Sequence, residues 1–185
     1  MNLAFAFPLP ATSVSTRRSA PDGRRLLFLD IEASSLAPHS WPVEIGWAWL
    51  ADAATGGRAV EQRSAVVAPR PTWCASAWSE AAVTLHGLTL ERVRRGLDAD
   101  TVAAMTDAFA GSLVVSDNPR WDQVWLDRLR EGRPRIEILP LRRLRAALDP
   151  DAASAFALSL LRRPSPHRAG PDAARLALAW AEATA

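Results

Sequence analysis

A chain of 185 residues with 49% hydrophobic and 23% charged side chains has the length and balance of one folded domain with a full core, which excludes a disordered, collagenous or coiled-coil protein. The single cysteine, Cys74, rules out an intramolecular disulfide and a cysteine-based zinc knot and fits a reducing, cytoplasmic setting. All 22 basic residues are arginine and tyrosine is absent, so the pI of 9.8 reflects a small arginine excess at a net charge of only +2, a mild local preference for anions.

No window approaches 18 uninterrupted apolar residues, so no membrane-spanning helix is expected. The apolar piece at residues 3–7 has no basic residues before it and is cut by Pro8 and Pro10, which argues against a secretory signal. Residues 1–24, rich in Pro, Ser, Thr and Arg from Pro8 onward, are predicted to be a flexible leader, and residues 25–185 a single domain. The run Leu26-Leu27-Phe28-Leu29, ending in Asp30, reads as a strand buried on both faces in the middle of a sheet. Residues 43–50 form a second strand, Gly56-Gly57 a turn and residues 58–68 a third, giving an antiparallel three-strand meander.

Beyond Pro71 alanine and helical spacing take over. Helices are predicted at 76–85, 89–95 and 98–110, with Thr89 and Asp98 as N-caps. Residues 113–116 read as a fourth strand, 119–130 as a helix with proline in its first turn, and 136–139 as a fifth strand. Helices at 141–148, 151–162 and 171–183 complete an α/β architecture, a mixed five-stranded sheet flanked by helices.

Asp30 and Glu32 sit two apart at the end of the buried strand, so both face the same way, roughly 7 Å apart beside an apolar wall. Such a pair either holds a cation or marks a strand end where both groups are solvated. Asp122 shares a helix face with Trp125, Leu126 and Leu129, which aims it at the core; the alternative is a solvated first-turn aspartate favoured by the helix dipole. Pro171 in a first helical turn leaves His167 on the preceding loop and puts Asp172 at the helix start, on the face of Leu176 and Ala179. A lone histidine is commonly structural; one five residues before a core-facing carboxylate favours a site.

Asp30-Ile31-Glu32, the segment Ser116-Asp117-Asn118-Pro119-Arg120-Trp121-Asp122 and the terminal His167-x-x-x-x-Asp172 resemble the three motifs of the DEDDh group of 3′–5′ exonucleases, the DnaQ-like proteins. Pro42-Val43-Glu44-Ile45-Gly46 and Leu85-His86-Gly87-Leu88-Thr89 are similar to further segments of that group, and the resemblance runs from about Leu26 to the C-terminus. The chain departs from the pattern at Asp117, where a histidine often precedes Asn118, at Trp121 in place of phenylalanine, and at Ala33-Ser34-Ser35-Leu36 in place of a threonine- and glycine-containing run. The tyrosine variant of the family is excluded by the lack of tyrosine.

The resemblance implies an RNase H-like fold and two Mg²⁺ or Mn²⁺ ions, which suit oxygen-only ligands. Asp30 would bridge both ions, Glu32 and Asp172 would complete the first, Asp122 would assist directly or through water, and His167 would take a proton from the attacking water. The implied reaction releases nucleoside 5′-monophosphates from the 3′ ends of single-stranded DNA or RNA. By the same analogy the backbone near Ala33 and Ser34 would meet the terminal 3′-OH and Leu36 would wedge against the base, with Asn118 a further substrate-binding candidate. His39 and Trp41 are candidates for base stacking, with core packing as the competing role for Trp41. Arginine clusters, among them Arg162, Arg163 and Arg168, either follow a phosphate backbone or cover solvated faces. Cys74 and His86 read as structural. A catalytically weak nucleic-acid-binding or regulatory protein on the same fold, and a phosphodiesterase acting on small nucleotides, are the alternatives; a homodimer is compatible with either.

Overall fold

The computed structural model describes residues 23–52 and 58–185. The predicted leader up to residue 22 and the Gly56-Gly57 turn lie outside the described residues. Strand β1 (Leu26–Ala33) pairs antiparallel with β2 (Pro42–Asp52), which pairs antiparallel with β3 (Arg58–Ala68), so the predicted meander is present. Short helices α1 (Glu80–His86) and α2 (Leu90–Arg94) follow, the second capped by the Thr89 hydroxyl, which accepts from the Arg92 amide. The sequence expectation of five strands is corrected by β4 (Leu97–Asp98), which adds to the edge of the sheet parallel to the end of β3. Two residues are too few to show a strand period, and Asp98 also caps α3 (Ala99–Met105), the signal that dominated the sequence.

The chain then runs through β5 (Leu113–Ser116), α4 (Pro119–Leu129), β6 (Ile138–Pro140), α5 (Leu141–Arg145), α6 (Pro150–Arg162) and α7 (Ala169–Ala183). The strand order is β4-β3-β2-β1-β5-β6, with β1 at the centre between an antiparallel and a parallel neighbour. Alternation along β1 splits the core in two. Leu27, Leu29 and Ile31 pack with Ile45, Trp47 and Trp49 under α3 and α4. Leu26 and Phe28 pack with Ala48 and Leu50 under α6 and α7. Asp30 and Glu32 continue the second series and therefore face α7.

Helix α7 lies close on the sheet because its inner face is small: Ala169, Ala173 and Ala177 are fully buried. The closest approach is at Gly46, where a Cβ would stand 2.0 Å from the Ala169 carbonyl carbon. Gly46 pairs with Asp30 in the β1–β2 ladder, so the start of α7 is set directly over the acidic end of β1. Two residues back on the same face, buried Glu44 accepts from Arg168 Nε at 2.9 Å and Nη2 at 2.8 Å, and from the Ala169 amide at 3.0 Å. Those charge-assisted bonds satisfy the carboxylate and one free amide of the helix start together.

Gly46→Ala should cost about 3 kcal/mol, the upper part of the usual range for overpacking, because the three atoms that would have to give, the Ala169 carbonyl carbon and oxygen and the Gly170 amide nitrogen, are all backbone. Thermal unfolding should show the loss, and divalent-ion binding should weaken with it as α7 is pushed off the strand. A variant as stable as the parent would mean that the helix start is not fixed by this contact.

Candidate active site

Asp30 follows the stretch where β1 and β5 pair in parallel, so the site forms at the carboxyl ends of these strands, the usual crevice of an α/β sheet. Asp172, on the first turn of α7, meets Asp30 and Glu32 there, and one carboxylate oxygen from each of the three lies within 4.8 Å of the others. The orientation of Asp172 is set by its own helix start, since Oδ2 accepts from the Arg168 amide at 3.0 Å. Its Oδ1 accepts from Arg175 Nε, one turn further on, at 3.3 Å.

Asp122 comes from the opposite layer. It lies on the first turn of α4, almost completely buried, and accepts from the Ser116 hydroxyl at the end of β5. Ser116 Oγ in turn accepts from the Asn118 amide at 2.9 Å, which fixes the entry into α4. Of the two sequence readings of Asp122, the core-directed one holds. Asp122 is not part of the three-carboxylate group, but it lies close enough to Asp30 to raise that residue's pKa.

His167 sits on the loop before α7 with φ of 52°, the left-handed region that histidine enters more readily than most residues. Its amide donates to Ser165 Oγ at 3.2 Å, and Ser165 Oγ lies 3.5 Å from His167 Nδ1, so the loop holds the ring from behind. Asp30, Glu32, Asp122, His167 and Asp172 all line one cleft of about 700 Å³.

The electrostatics match the geometry. Burial is the largest influence on Asp30, followed by Asp122, Glu32 and Asp172, and all of them push its pKa well above the usual carboxylate range. Burial likewise raises Asp122, against the stabilising Ser116 hydrogen bond. Glu32 is pushed up to about 7 by burial and then by Asp172 and Glu44, with Arg168 opposing. Four acids held this way repel one another, and a divalent cation relieves the repulsion. The oxygen-only donor set of Asp30, Glu32 and Asp172 suits a hard ion such as Mg²⁺ or Mn²⁺.

The predicted substrate residues divide. Ala33 and Leu36 line the cleft, Leu36 being 67% exposed, and Asn118 lies on the opposite lip. Ser34 is buried, its amide donating to the Trp41 carbonyl at 2.9 Å, its carbonyl accepting from the Ser79 amide at 3.0 Å and its hydroxyl accepting from the Trp41 amide at 3.1 Å. Its polar groups thus close the 34–41 loop. His39 is exposed and does not line the cleft. The stacking expectation for Trp41 is corrected: it is 2% exposed, stacked between Trp73 and Trp78 at 5.8 Å from each, and its Nε1 donates to the Cys74 carbonyl. Trp47 and Trp49 are core, as expected. Arg168, grouped with the phosphate-tracking candidates, is committed to Glu44.

Sequence reasoning gave no role to Glu44, although an acid within Val43-Glu44-Ile45 of a central strand needs a buried cation, and Arg168 beside a histidine motif was available. Arg175 was also overlooked. Its position three residues after Asp172 on one helix was the signal for it.

No protein-family model matches the chain, and no curated protein matches it. Solved structures do. Over 84% of this chain, Escherichia coli exonuclease I in complex with a dT13 oligonucleotide is similar at a TM-score of 0.57 and 18% identity. Over the same share, the nuclease domain of 3′hExo, a DEDDh family member bound to rAMP, is similar at 0.59 and 15%. A full-length 3′-exonuclease gives 0.59 at 16% identity. The match spans 40% of the exonuclease I chain, 59% of the full-length 3′-exonuclease and 89% of the 3′hExo nuclease domain. With a central mixed sheet, helices on both faces and acids at the carboxyl end of its middle strand, the chain has the fold of the DEDDh-type 3′–5′ exonucleases.

Proposed function

We propose that the chain is a metal-dependent 3′–5′ exonuclease that hydrolyses the terminal phosphodiester of single-stranded nucleic acid and releases nucleoside 5′-monophosphates. The observation that carries this reading is the convergence of Asp30, Glu32 and Asp172 oxygens within 4.8 Å of one another, on a cleft that also presents Asp122 and His167. Two of the neighbours, exonuclease I with dT13 and the histone mRNA stem-loop 3′-exonuclease, support it by what they bind.

Asp30, Glu32 and Asp172 would hold one divalent ion, and Asp30 with Asp122 would serve a second. When bound, the ions supply charge stabilisation for the attacking and leaving oxygens of an in-line displacement. His167, carried on the loop next to the acids, takes the proton from the attacking water as general base. The exposed Leu36 offers an apolar edge for the terminal base, and Ala33 keeps the wall beside the acids small and close.

The direct test is a time course with end-labelled single-stranded RNA and DNA in Mg²⁺, Mn²⁺ or EDTA. Stepwise shortening from the 3′ end with mononucleotide release is expected with either metal and none with EDTA. Asp30→Asn should abolish it while raising the melting temperature of the metal-free protein, because one of several repelling acids becomes neutral. Turnover close to the parent's would overturn the site assignment.

The metal-free protein should also become less stable as pH rises. Glu32 in the fold has a pKa of about 7, above that of an exposed glutamate, so the folded state binds the extra proton. Its contribution is full below about pH 4 and is lost as pH rises through 7; Asp30, also raised, adds to the loss. Melting curves in EDTA between pH 5 and 8 should fall with pH, and saturating Mg²⁺ should flatten or reverse the slope. A rising EDTA profile would contradict the carboxylate repulsion.

For His167→Ala a turnover loss of about 10²–10⁴-fold is expected, the usual worth of a positioned base. Mn²⁺ affinity, read by calorimetry, should stay unchanged, since the imidazole carries no metal bond in this scheme. Weakened ion binding with activity restored by excess Mn²⁺ would make His167 a ligand instead.

A further inference from the structure

Arg175 is the single arginine among the described residues lining the cleft, and it is held there unusually loosely. Its Nε reaches Asp172 Oδ1 at 3.3 Å, its Nη2 reaches Asp117 Oδ2 at 3.4 Å and its Nη1 reaches the Arg163 carbonyl at 3.5 Å. All three lie beyond the normal range for such bonds, whereas Arg168 grips Glu44 at 2.8 and 2.9 Å. The Arg175 and Asp117 side chains are 17% and 39% exposed, and the single 3.4 Å contact between them is too long to be a strong bond, so it is open to exchange. Arg175 also touches an acid of the three-carboxylate group. A phosphate oxygen sharing a hard cation with Asp172 would lie within roughly 4.5 Å of that carboxylate's oxygen, twice a metal–oxygen distance, and so within the sweep of the guanidinium.

We propose that Arg175 is the substrate-phosphate contact of the cleft, and that Asp117 holds its guanidinium until a phosphate takes that carboxylate's place. The inference rests on the nuclease reading above and deepens it by assigning phosphate recognition to a residue outside the four acids and His167. The exchange is favourable because a planar guanidinium binds a phosphate through two parallel bonds, which Asp117 with one long contact does not provide. Asp117 therefore acts as an internal competitor for the guanidinium, at the expense of affinity.

Calorimetry of the full chain in Mn²⁺, with AMP as the phosphate-bearing probe and adenosine as the control, tests this. Arg175→Gln should weaken AMP about tenfold or more, the worth of a hydrogen bond to a charged group, and leave adenosine unchanged. Asp117→Asn should tighten AMP by about two- to fivefold, as expected for release of an exposed ion pair. In the Arg175→Gln background that gain should vanish, because the two residues act through one contact. Mn²⁺ affinity without nucleotide should not fall in Arg175→Gln, whereas a residue that only props Asp172 would weaken it. If Arg175→Gln unfolds, Arg175→Lys, which keeps the charge and loses the planar fork, replaces it and should bind AMP less tightly than the parent. An Asp117→Asn variant that binds AMP no better, or a gain that survives in the double variant, overturns the inference while leaving the nuclease reading intact. Failure of the parent protein to bind AMP in Mn²⁺ overturns both.

Discussion

The close seating of α7 on β2 governs this structure, because it joins the two halves of the three-carboxylate group. Asp30 and Glu32 are fixed by the centre of the sheet, but Asp172 is carried by a helix 140 residues later in the chain, and only a backbone-to-backbone contact at Gly46 brings that helix start within reach. Glu44 supplies the matching attraction, since one buried carboxylate binds both the side chain of Arg168 and the amide of Ala169. A glycine that admits the helix and a glutamate that ties it down stand two residues apart on one strand face. The next pair along β2, Ala48 and Leu50, extends the same face into the apolar core under α7. Packing therefore sets the position of the acidic lip of the cleft.

The same seating creates the repulsion that the site must tolerate. Asp30, Glu32 and Asp172 converge while Asp122 approaches from the other layer, and burial raises the proton affinity of Asp30, Glu32 and Asp122. The core around them is built of Leu, Trp and Ala, and the opposition comes from two arginines, Arg175 on Asp172 and Arg168 against the rise of Glu32. Strain of this kind is typical of functional sites, which give up stability for a charge distribution that a ligand completes. It also explains why the scaffold around the acids is rigid: β1 is paired on both sides, and each neighbouring element buries at least one large side chain against it.

Much of this was legible in the sequence because the signals were local. The apolar run before Asp30, the caps at Thr89 and Asp98, and the helix face shared by Asp122 and Leu126 all report on neighbours within a few residues. Strand β4 was not legible, since two residues make no period and its pairing with Val67 and Ala68 is a tertiary event. Trp41 misled for a related reason: an aromatic in a loop between a motif and a strand has no periodicity to show whether it points out or in. Its burial depends on Trp73 and Trp78, more than 30 residues away. Glu44 announces its burial by its place between Val43 and Ile45, but its partner lies 124 residues on, so the strand alone does not show which cation it meets.

Arg168 and Arg175 show how one helix start uses the same side chain in two ways. Arg168 precedes the helix, faces a carboxylate that is 2% exposed, and makes two short bonds; removing the arginine would strand the buried Glu44 charge, so this pair is fixed. Arg175 stands about two turns further along, faces a partly exposed carboxylate and a cluster already rich in negative charge, and makes only long contacts. The partners separate the two cases, since burial of Glu44 makes its arginine irreplaceable whereas Arg175 divides long contacts between Asp172 and the partly exposed Asp117. The first arginine can therefore hold the cleft in shape while the second remains free to answer what enters it.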